Sequence, residues 1–408
     1  MPGSHSRKRN KKSGGGIIRI LTLLLLIAIV VFAVVFCVKN KERFIPELDT
    51  MPVTAAETEV EPETTETAAE LIIRETIPAV TEPEETEPEY KPEITLTFAG
   101  DVLFDPNYAI MASMLQRGGD ISASFDEELL TVMRESDIFM LNNEFPYSDR
   151  GAPLEEKQFT FRAKPEYVNK LAEIGTDIVG LANNHVNDYG QDAMLDTFDI
   201  LENAGIPYVG AGRNIEEASA PYYMEIEGVR VAFVAATQIE RLANPDTVAA
   251  GENTPGVMRC LDPDRFIDEI KQAKANADLV VAFVHWGTEG EDRTDWLQDE
   301  QAPLYAEAGA DLIIGDHPHV LQKIEMINGV PCIYSLGNYL FNSGTVDTCL
   351  IQATVDTASK TVKSFRFIPA IQSGCRTKTP DSSEKDRIIR YMRSLSPDVT
   401  IDDDGYVY

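Results

Sequence analysis

Histidine is scarce in this chain, with five copies in 408 residues. Cysteine is equally scarce, and its five copies have no spacing of the kind that holds structural zinc. Cys37 falls in an apolar run, while Cys260, Cys332, Cys349 and Cys375 are scattered. One or two disulfides and a set of buried thiols therefore both stay open. Positive charge is short as well. Lys and Arg number 36 against 67 Asp and Glu, for a formal net charge of −31. Nucleic acid needs a basic footprint, so no such partner is expected. Excess surface acid suits an exported, soluble domain. An anionic polymer would have to be held by a local basic patch or by a metal. No internal repeat is found, so a solenoid is excluded.

What the chain does contain is unevenly spread. Residues 1–19 are basic, with Arg7, Lys8, Arg9, Lys11, Lys12 and Arg19. An uncharged apolar run follows over 20–38. Nineteen helical residues at ~1.5 Å each span roughly 28 Å, close to the hydrocarbon core of a bilayer. The run ends in Val34-Val35-Phe36-Cys37-Val38 with no small-x-small cleavage site, which favours an uncleaved anchor. Basic residues crowd its N-terminal side, so the N-terminus is expected in the cytoplasm and the rest outside the cell. Residues 39–93 repeat Thr, Glu and Pro, as in Thr81-Glu-Pro-Glu-Glu-Thr-Glu-Pro-Glu. Like charge and proline oppose collapse, which predicts a disordered stalk.

From Ile94 short β-rich runs alternate with amphipathic helical stretches. Strands are expected at 94–99, 138–142, 177–181, 229–235, 279–284 and 312–314, and helices at 125–135, 165–174, 191–203 and 263–275. Strand–helix alternation predicts an α/β domain with mainly parallel pairing. Hairpin-like pairs at 321–327 with 331–335, and 350–355 with 362–368, predict mixed sheets. The domain is expected over 94–370, with a C-terminal helix and tail over 371–408.

In open α/β sheets functional groups gather at the carboxyl ends of strands. Here those ends carry Asp101, then Asn142-Asn143-Glu144, then Asn183-Asn184-His185, then His285 through Glu289, and last Asp316-His317-Pro318-His319. All four histidines of the domain belong to this set. Carboxylates, an amide oxygen and imidazoles suit divalent Mn, Zn or Fe. Six or so ligands are enough for two ions ~3.5–4 Å apart. His317 and His319 alternate across a segment that Pro318 is expected to keep extended, and a metal is a reason for them to converge. His185 has Asp188 three residues on, either as a structural partner or as the orienter of a general acid.

Five ordered motifs are similar to those of the CapA family, associated with capsule and poly-γ-glutamate synthesis and related to calcineurin-like metallophosphoesterases. They are Gly100-Asp101-Val102, Gly180-Leu-Ala-Asn-Asn-His-Val-Asn-Asp-Tyr-Gly190, Val284-His-Trp-Gly-Thr-Glu289, Gly315-Asp-His-Pro-His-Val320 and Tyr334-Ser-Leu-Gly-Asn-Tyr339. The resemblance implies a four-layer α/β/β/α sandwich with metals at the sheet ends. It implies metal ligation by Asp101, Glu144 as a bridge, Asn184, His285, His317 and His319, with His185 protonating a leaving group. One departure stands out: the Asp-x-His of phosphoesterases has Leu103 in place of the histidine, leaving one metal a ligand short unless a group such as Glu289 completes it.

Three further residues are candidates for substrate contact. Arg162 either binds an anion bidentately or pairs with a surface acid. Glu289 is a partner of His285, a substrate contact or an exposed charge. Asn338 is by default a turn residue, with contact to the site as its alternative. The expected function is a membrane-anchored, CapA-like protein with a two-metal, hydrolase-type site acting on a phosphoester or an anionic polymer. The alternative is a non-catalytic polymer-binding or transport subunit of a synthesis complex, with the cell membrane and other subunits as partners.

Overall fold

The structure is a computed structural model that describes residues 91–155, 157–240 and 247–408. The predicted anchor at 20–38 and nearly all of the stalk lie outside the described residues. No helix among the described residues is long and apolar enough to cross a membrane.

Two sheets organise the fold, and both are mixed, as the strand–helix and hairpin patterns predict. The strands that build them are β1 (Glu93–Val102), β2 (Ile138–Asn143), β3 (Ile178–Gly180), β4 (Tyr208–Val209), β5 (Ala211–Gly212), β6 (Tyr222–Ile226), β7 (Val229–Thr237), β8 (Gly256–Val257), β9 (Leu279–His285) and β10 (Leu312–Asp316). They continue with β11 (Ile324–Ile327), β12 (Val330–Ile333), β13 (Asn338–Leu340), β14 (Val346–Asp356), β15 (Thr361–Gln372) and β16 (Thr377–Lys378). The first sheet runs β16-β15-β14-β1-β2-β3-β4, with β13 also beside β1; the second runs β11-β12-β10-β9-β7-β6. The central pairs β1–β2, β2–β3, β7–β9 and β9–β10 are parallel, and the hairpins β14–β15 and β11–β12 are antiparallel. Strands β5 and β8 form a separate small pair.

Side chains alternate across each strand, and that period decides the packing. Leu96 and Phe98 of β1, Ile138 and Met140 of β2, Val231 and Phe233 of β7, and Val281 and Phe283 of β9 share one hydrophobic cluster. It is fed by both sheets. The alternate residues Phe139 and Leu141 instead join Leu129, Met133, Met194 and Phe198 from helices Glu127–Glu135 and Gln191–Ala204. Val280, Ala282 and Val284 join Phe266 and Ile270 of helix Asp264–Asn276. Gly180 marks a close contact inside the core, since a Cβ there would lie 2.9 Å from the Phe283 ring. Phe283→Ala would cost about 3–5 kcal/mol in such a setting.

Several elements are absent from the sequence pattern, and two show why. Helix Trp296–Ala308 carries Pro303 inside it and no clear apolar stripe; the Asp295–Gln298 capping box starts it. Strand β6 pairs with β7 at the sheet edge, where half-exposed residues blur the period. The end of the chain is ordered: helix Ser382–Leu395 sends Ile388, Ile389 and Met392, and the tail sends Ile401 and Val407, into the cluster fed by both sheets. Cys260, Cys332, Cys349 and Cys375 are free and buried.

Candidate metal centre

Register places the first group of side chains. Asp101 at the end of β1 lies opposite Asn142 of β2 and Asn338 of β13. The pairing slips at Gly100 and again after Asp101. A bulge of this kind re-aims a side chain at the end of a strand. Gly100 is required there, because a Cβ would sit 2.0 Å from the Gly337 carbonyl oxygen. In the second sheet, Asp316 at the end of β10 lies opposite His285 at the end of β9. The two sets of strand ends meet over one buried polar cluster.

A chain of amides fixes the loop after β3. Asn142 Nδ2 donates to Asp101 Oδ1 at 2.8 Å, and Asn183 Nδ2 donates to Asn142 Oδ1 and the Asn143 carbonyl at 3.0 Å. Asn183 Oδ1 accepts from the backbone N–H groups of His185 and Val186, each at 3.0 Å. Asn184 and His185 are thereby held by polar groups that themselves have little freedom.

His285 is the centre of the arrangement. Its Nδ1 is 2.7 Å from Asp316 Oδ1, and its Nε2 is 2.8 Å from Asn184 Oδ1 and 3.0 Å from His317 Nδ1. Burial, the largest effect, lowers its pKa to about 3, so the ring is neutral and has one N–H. When Asp316 is ionised it accepts a hydrogen bond from that N–H at Nδ1, and Nε2 is then bare and faces the Asn184 oxygen. Glu144 Oε1 lies 3.7 Å from the same nitrogen and 3.8 Å from His185 Nε2, and has no hydrogen-bond partner. Asp316 Oδ2 and Asn338 Oδ1 are likewise buried and unpartnered. Electron-rich atoms that face each other in a buried space need positive charge between them. Protons supply it when no metal is present: burial first, then Asp101, holds Glu144 and Asp316 well above the ordinary carboxylate range.

On the other side, His319 Nδ1 is 2.8 Å from Asp101 Oδ2. Burial opposes charge on both, but their mutual attraction wins, lowering the Asp101 pKa and raising that of His319. Four overlapping groups bring ligand atoms within 4.8 Å of one another: Glu144–His285–His317, Glu289–His317–His319, Asp101–Glu144–His319 and Asp101–His285–Asp316. This donor set fits a divalent cation. The His317-Pro318-His319 segment is not extended, as expected from sequence, but turns sharply. His317 has φ 95° and His319 φ 60°, left-handed values that are costly for non-glycine residues. That turn, rather than strand alternation, brings both rings to the cluster.

His185 lies beside the cluster with its Nδ1 2.7 Å from Asp188 Oδ2. Burial lowers its pKa, and Asp188 partly opposes the change. The Phe161 ring packs on the imidazole at 4.2 Å between centroids, and Phe341 packs on His319 at 4.8 Å. Among the described residues no acid forms an ion pair with Arg162. Its guanidinium covers the Tyr189 ring at 4.1 Å and donates to the Arg150 carbonyl at 3.1 Å. Asn338 is buried in β13, not in a turn. Glu289 is exposed and joins His317 and His319, while the partner of His285 is Asp316. Asp316 and the amides Asn142 and Asn183, placed at strand ends by the sequence but given no role there, complete the site. Leu103, where phosphoesterases carry histidine, is buried in the apolar core.

The family model described as bacterial capsule synthesis protein PGA_cap matches residues 95–343. The "PGA biosynthesis protein CapA" of Bacillus subtilis is 33% identical over 264 residues, covering 64% of this chain and 67% of that protein. The "Capsule biosynthesis protein CapA" of Bacillus anthracis is 30% identical over 315 residues, covering 74% and 73%. A Mycobacterium tuberculosis protein named a probable polyglutamine synthesis accessory protein is 26% identical over 66% of this chain and 75% of its own. Among solved structures, a phosphatase from Mycoplasma pneumoniae aligns with TM-score 0.44 at 13% identity, over 69% of this chain and 94% of that one, a likeness too distant to transfer chemistry.

Proposed function

Because the chain belongs to the bacterial capsule synthesis protein family PGA_cap, we propose that it is a membrane-anchored, extracellular protein of capsule or poly-γ-glutamate biosynthesis with a two-metal, hydrolase-type site. In this reading the facing sheets and their outer helices form a four-layer α/β/β/α sandwich of the metallophosphoesterase type. The observation that carries it is the unpartnered Glu144 Oε1, buried between two imidazole nitrogens 3.7 and 3.8 Å away.

Asp101, Glu144, Asn184, His285, His317 and His319 would hold the ions, and Glu289 would close the side where Leu103 offers nothing. Divalent Mn, Zn or Fe there would supply Lewis acidity and make water a nucleophile near neutral pH. Asp316 fixes the ring of His285 through Nδ1, the usual outer partner of a ligating imidazole. Asp188 fixes His185 in the same way and leaves Nε2 facing the cluster. Burial lowers the His185 pKa, which makes its protonated form a readier proton donor to a leaving group. Phe161 covers one face of that ring and limits access of water. Arg162 and Asn338 flank the site as candidate substrate contacts.

A second reading keeps the metals but gives up turnover, making the chain a polymer-binding or transport subunit of a synthesis complex. The buried Leu103 in the Asp-x-His position supports it. One comparison separates the two. The full-length chain is assayed for bound metal, and for hydrolysis of phosphodiesters and of poly-γ-glutamate, alongside His185→Ala. Near-stoichiometric metal with hydrolysis that disappears in His185→Ala supports the enzyme. Metal without any hydrolysis leaves the binding role, and a folded chain that takes up no Mn, Zn or Fe overturns both.

A further inference from the structure

Leu154, Lys157 and Phe161 each reach one carboxylate or the loop around it. The Leu154 N–H donates to the Asp188 carbonyl at 2.9 Å, the Phe161 N–H donates to Asp188 Oδ2 at 2.7 Å, and Lys157 Nζ meets Asp188 Oδ1 at 2.5 Å. Lys157 also donates to the carbonyl oxygen of Asn184. Its side chain is 6% exposed and that of Asp188 is fully buried. Lysine is seldom buried this far without a paired charge, and the Asp188 carboxylate is already engaged by the ring of His185.

We propose that Lys157 is a positioning residue for His185. This rests on the reading of His185 as the proton donor of the site. Lys157 supplies the counter-charge that keeps the Asp188 carboxylate turned toward the imidazole. By gripping the Asn184 carbonyl it also fixes the distance between that carboxylate and the neighbouring metal-ligand position. Three side chains, Lys157, Asp188 and His185, thus form one buried line, and the Phe161 ring closes over its end. Breaking a buried ion pair leaves an uncompensated charge, so without Lys157 the Asp188 carboxylate keeps only its Oδ2 contacts to the Phe161 N–H and the His185 ring, and the single orientation of that ring is weakened.

The test uses the full-length chain and two variants, Lys157→Met and Lys157→Gln. The first readout needs no substrate. With only five histidines in the chain, ¹⁵N-histidine labelling of metal-stripped protein resolves the ring of His185, assigned with His185→Gln. The parent should show one tautomer with a hydrogen-bonded Nδ1–H, and both variants a mixture. The second readout is hydrolysis of bis(p-nitrophenyl) phosphate with Mn²⁺. Here kcat should fall about 100-fold, the lower end of what general acid–base catalysis contributes. KM and bound metal should stay within about threefold. An unchanged His185 signal in both variants overturns the proposal, as does a loss of kcat matched by loss of metal, or failure of both variants to fold. A parent that hydrolyses no diester overturns the hydrolase reading instead, and the labelled ring still decides the role of Lys157.

Discussion

His285 is 1% exposed, and its two ring nitrogens meet Asp316 and Asn184. The His319 side chain is 21% exposed, and its Nδ1 meets Asp101. Both rings come from strand ends of the second sheet, but they stand in different electrical settings. Burial keeps His285 neutral, so its side of the cluster is short of positive charge. Asp101 raises the pKa of His319 against the opposing effect of burial, so on that side a cation competes with a proton for the ring. In the proposed two-metal reading the ligands would therefore form an unequal pair: a buried seat around Glu144, His285 and His317, and an open one completed by the exposed Glu289.

The sharpest way to break this inequality is to remove its two imidazoles in turn. His285→Ala should abolish metal uptake by the full-length chain, because the buried seat loses its central donor. His319→Ala should keep about half, since two ions are expected. Elemental analysis after dialysis checks both, and equal losses would end the distinction. Asp316→Asn acts at one remove and should weaken binding in the buried seat about 10- to 100-fold, the usual effect of an outer partner of a ligating histidine. Titration with Zn²⁺ against a chelator of known affinity measures it.

Acidity sharpens the comparison further. The folded pKa values of Glu144 and Asp316 are raised above their unfolded values. Each of these two carboxyls therefore contributes stability that falls as pH rises from the unfolded carboxylate range toward its raised value, while His185 and His285, whose pKa values are lowered, contribute the opposite slope below the ordinary histidine range. The slope is about 1.4 kcal/mol per pH unit for each carboxyl across its window. Loaded metal needs the same carboxylates ionised, so the slope should reverse with Mn²⁺ or Zn²⁺ present. Thermal melts of the parent and Glu144→Gln from pH 5 to 8, with and without metal, isolate the sign of the carboxyl contribution. Metal itself should leave the His319 side first on acidification from pH 8, because that ring holds its proton to higher pH. The smallest effect is expected from Glu289→Gln, a loss of about threefold in affinity confined to the open seat, given its exposure. A larger loss would mean that Glu289 is a full ligand where Leu103 gives none.

Much of this was legible in the sequence because strand period and strand ends are local properties. The apolar runs of β1, β2, β7, β9 and β10 mark themselves, and their polar last residues stand out against them. Asp101, Glu144, Asn184 and the histidines follow from that contrast. Asp316 stands at such an end too, but its role depends on β10 lying in register with β9, a long-range fact that spacing along the chain does not encode. Lys157 had no signal at all, as a single lysine in an irregular segment whose partner is 31 residues away. The left-handed turns at His317 and His319 were misjudged from Pro318. Proline restricts the residue before it toward extended backbone, and here the folded surroundings override that preference.

Trp286 comes directly after His285, the last residue of β9, and is fully buried, stacked on Tyr334 at 5.5 Å with its Nε1–H donating to the Tyr334 carbonyl at 2.9 Å. The only other tryptophan, Trp296, is 69% exposed. The chain thus carries its own optical probe: one indole one residue from the central imidazole, and a second in water as an internal reference. Emission from the buried indole should resist acrylamide quenching while that of Trp296 does not, so filling of the cluster becomes visible as a change in one band without any label.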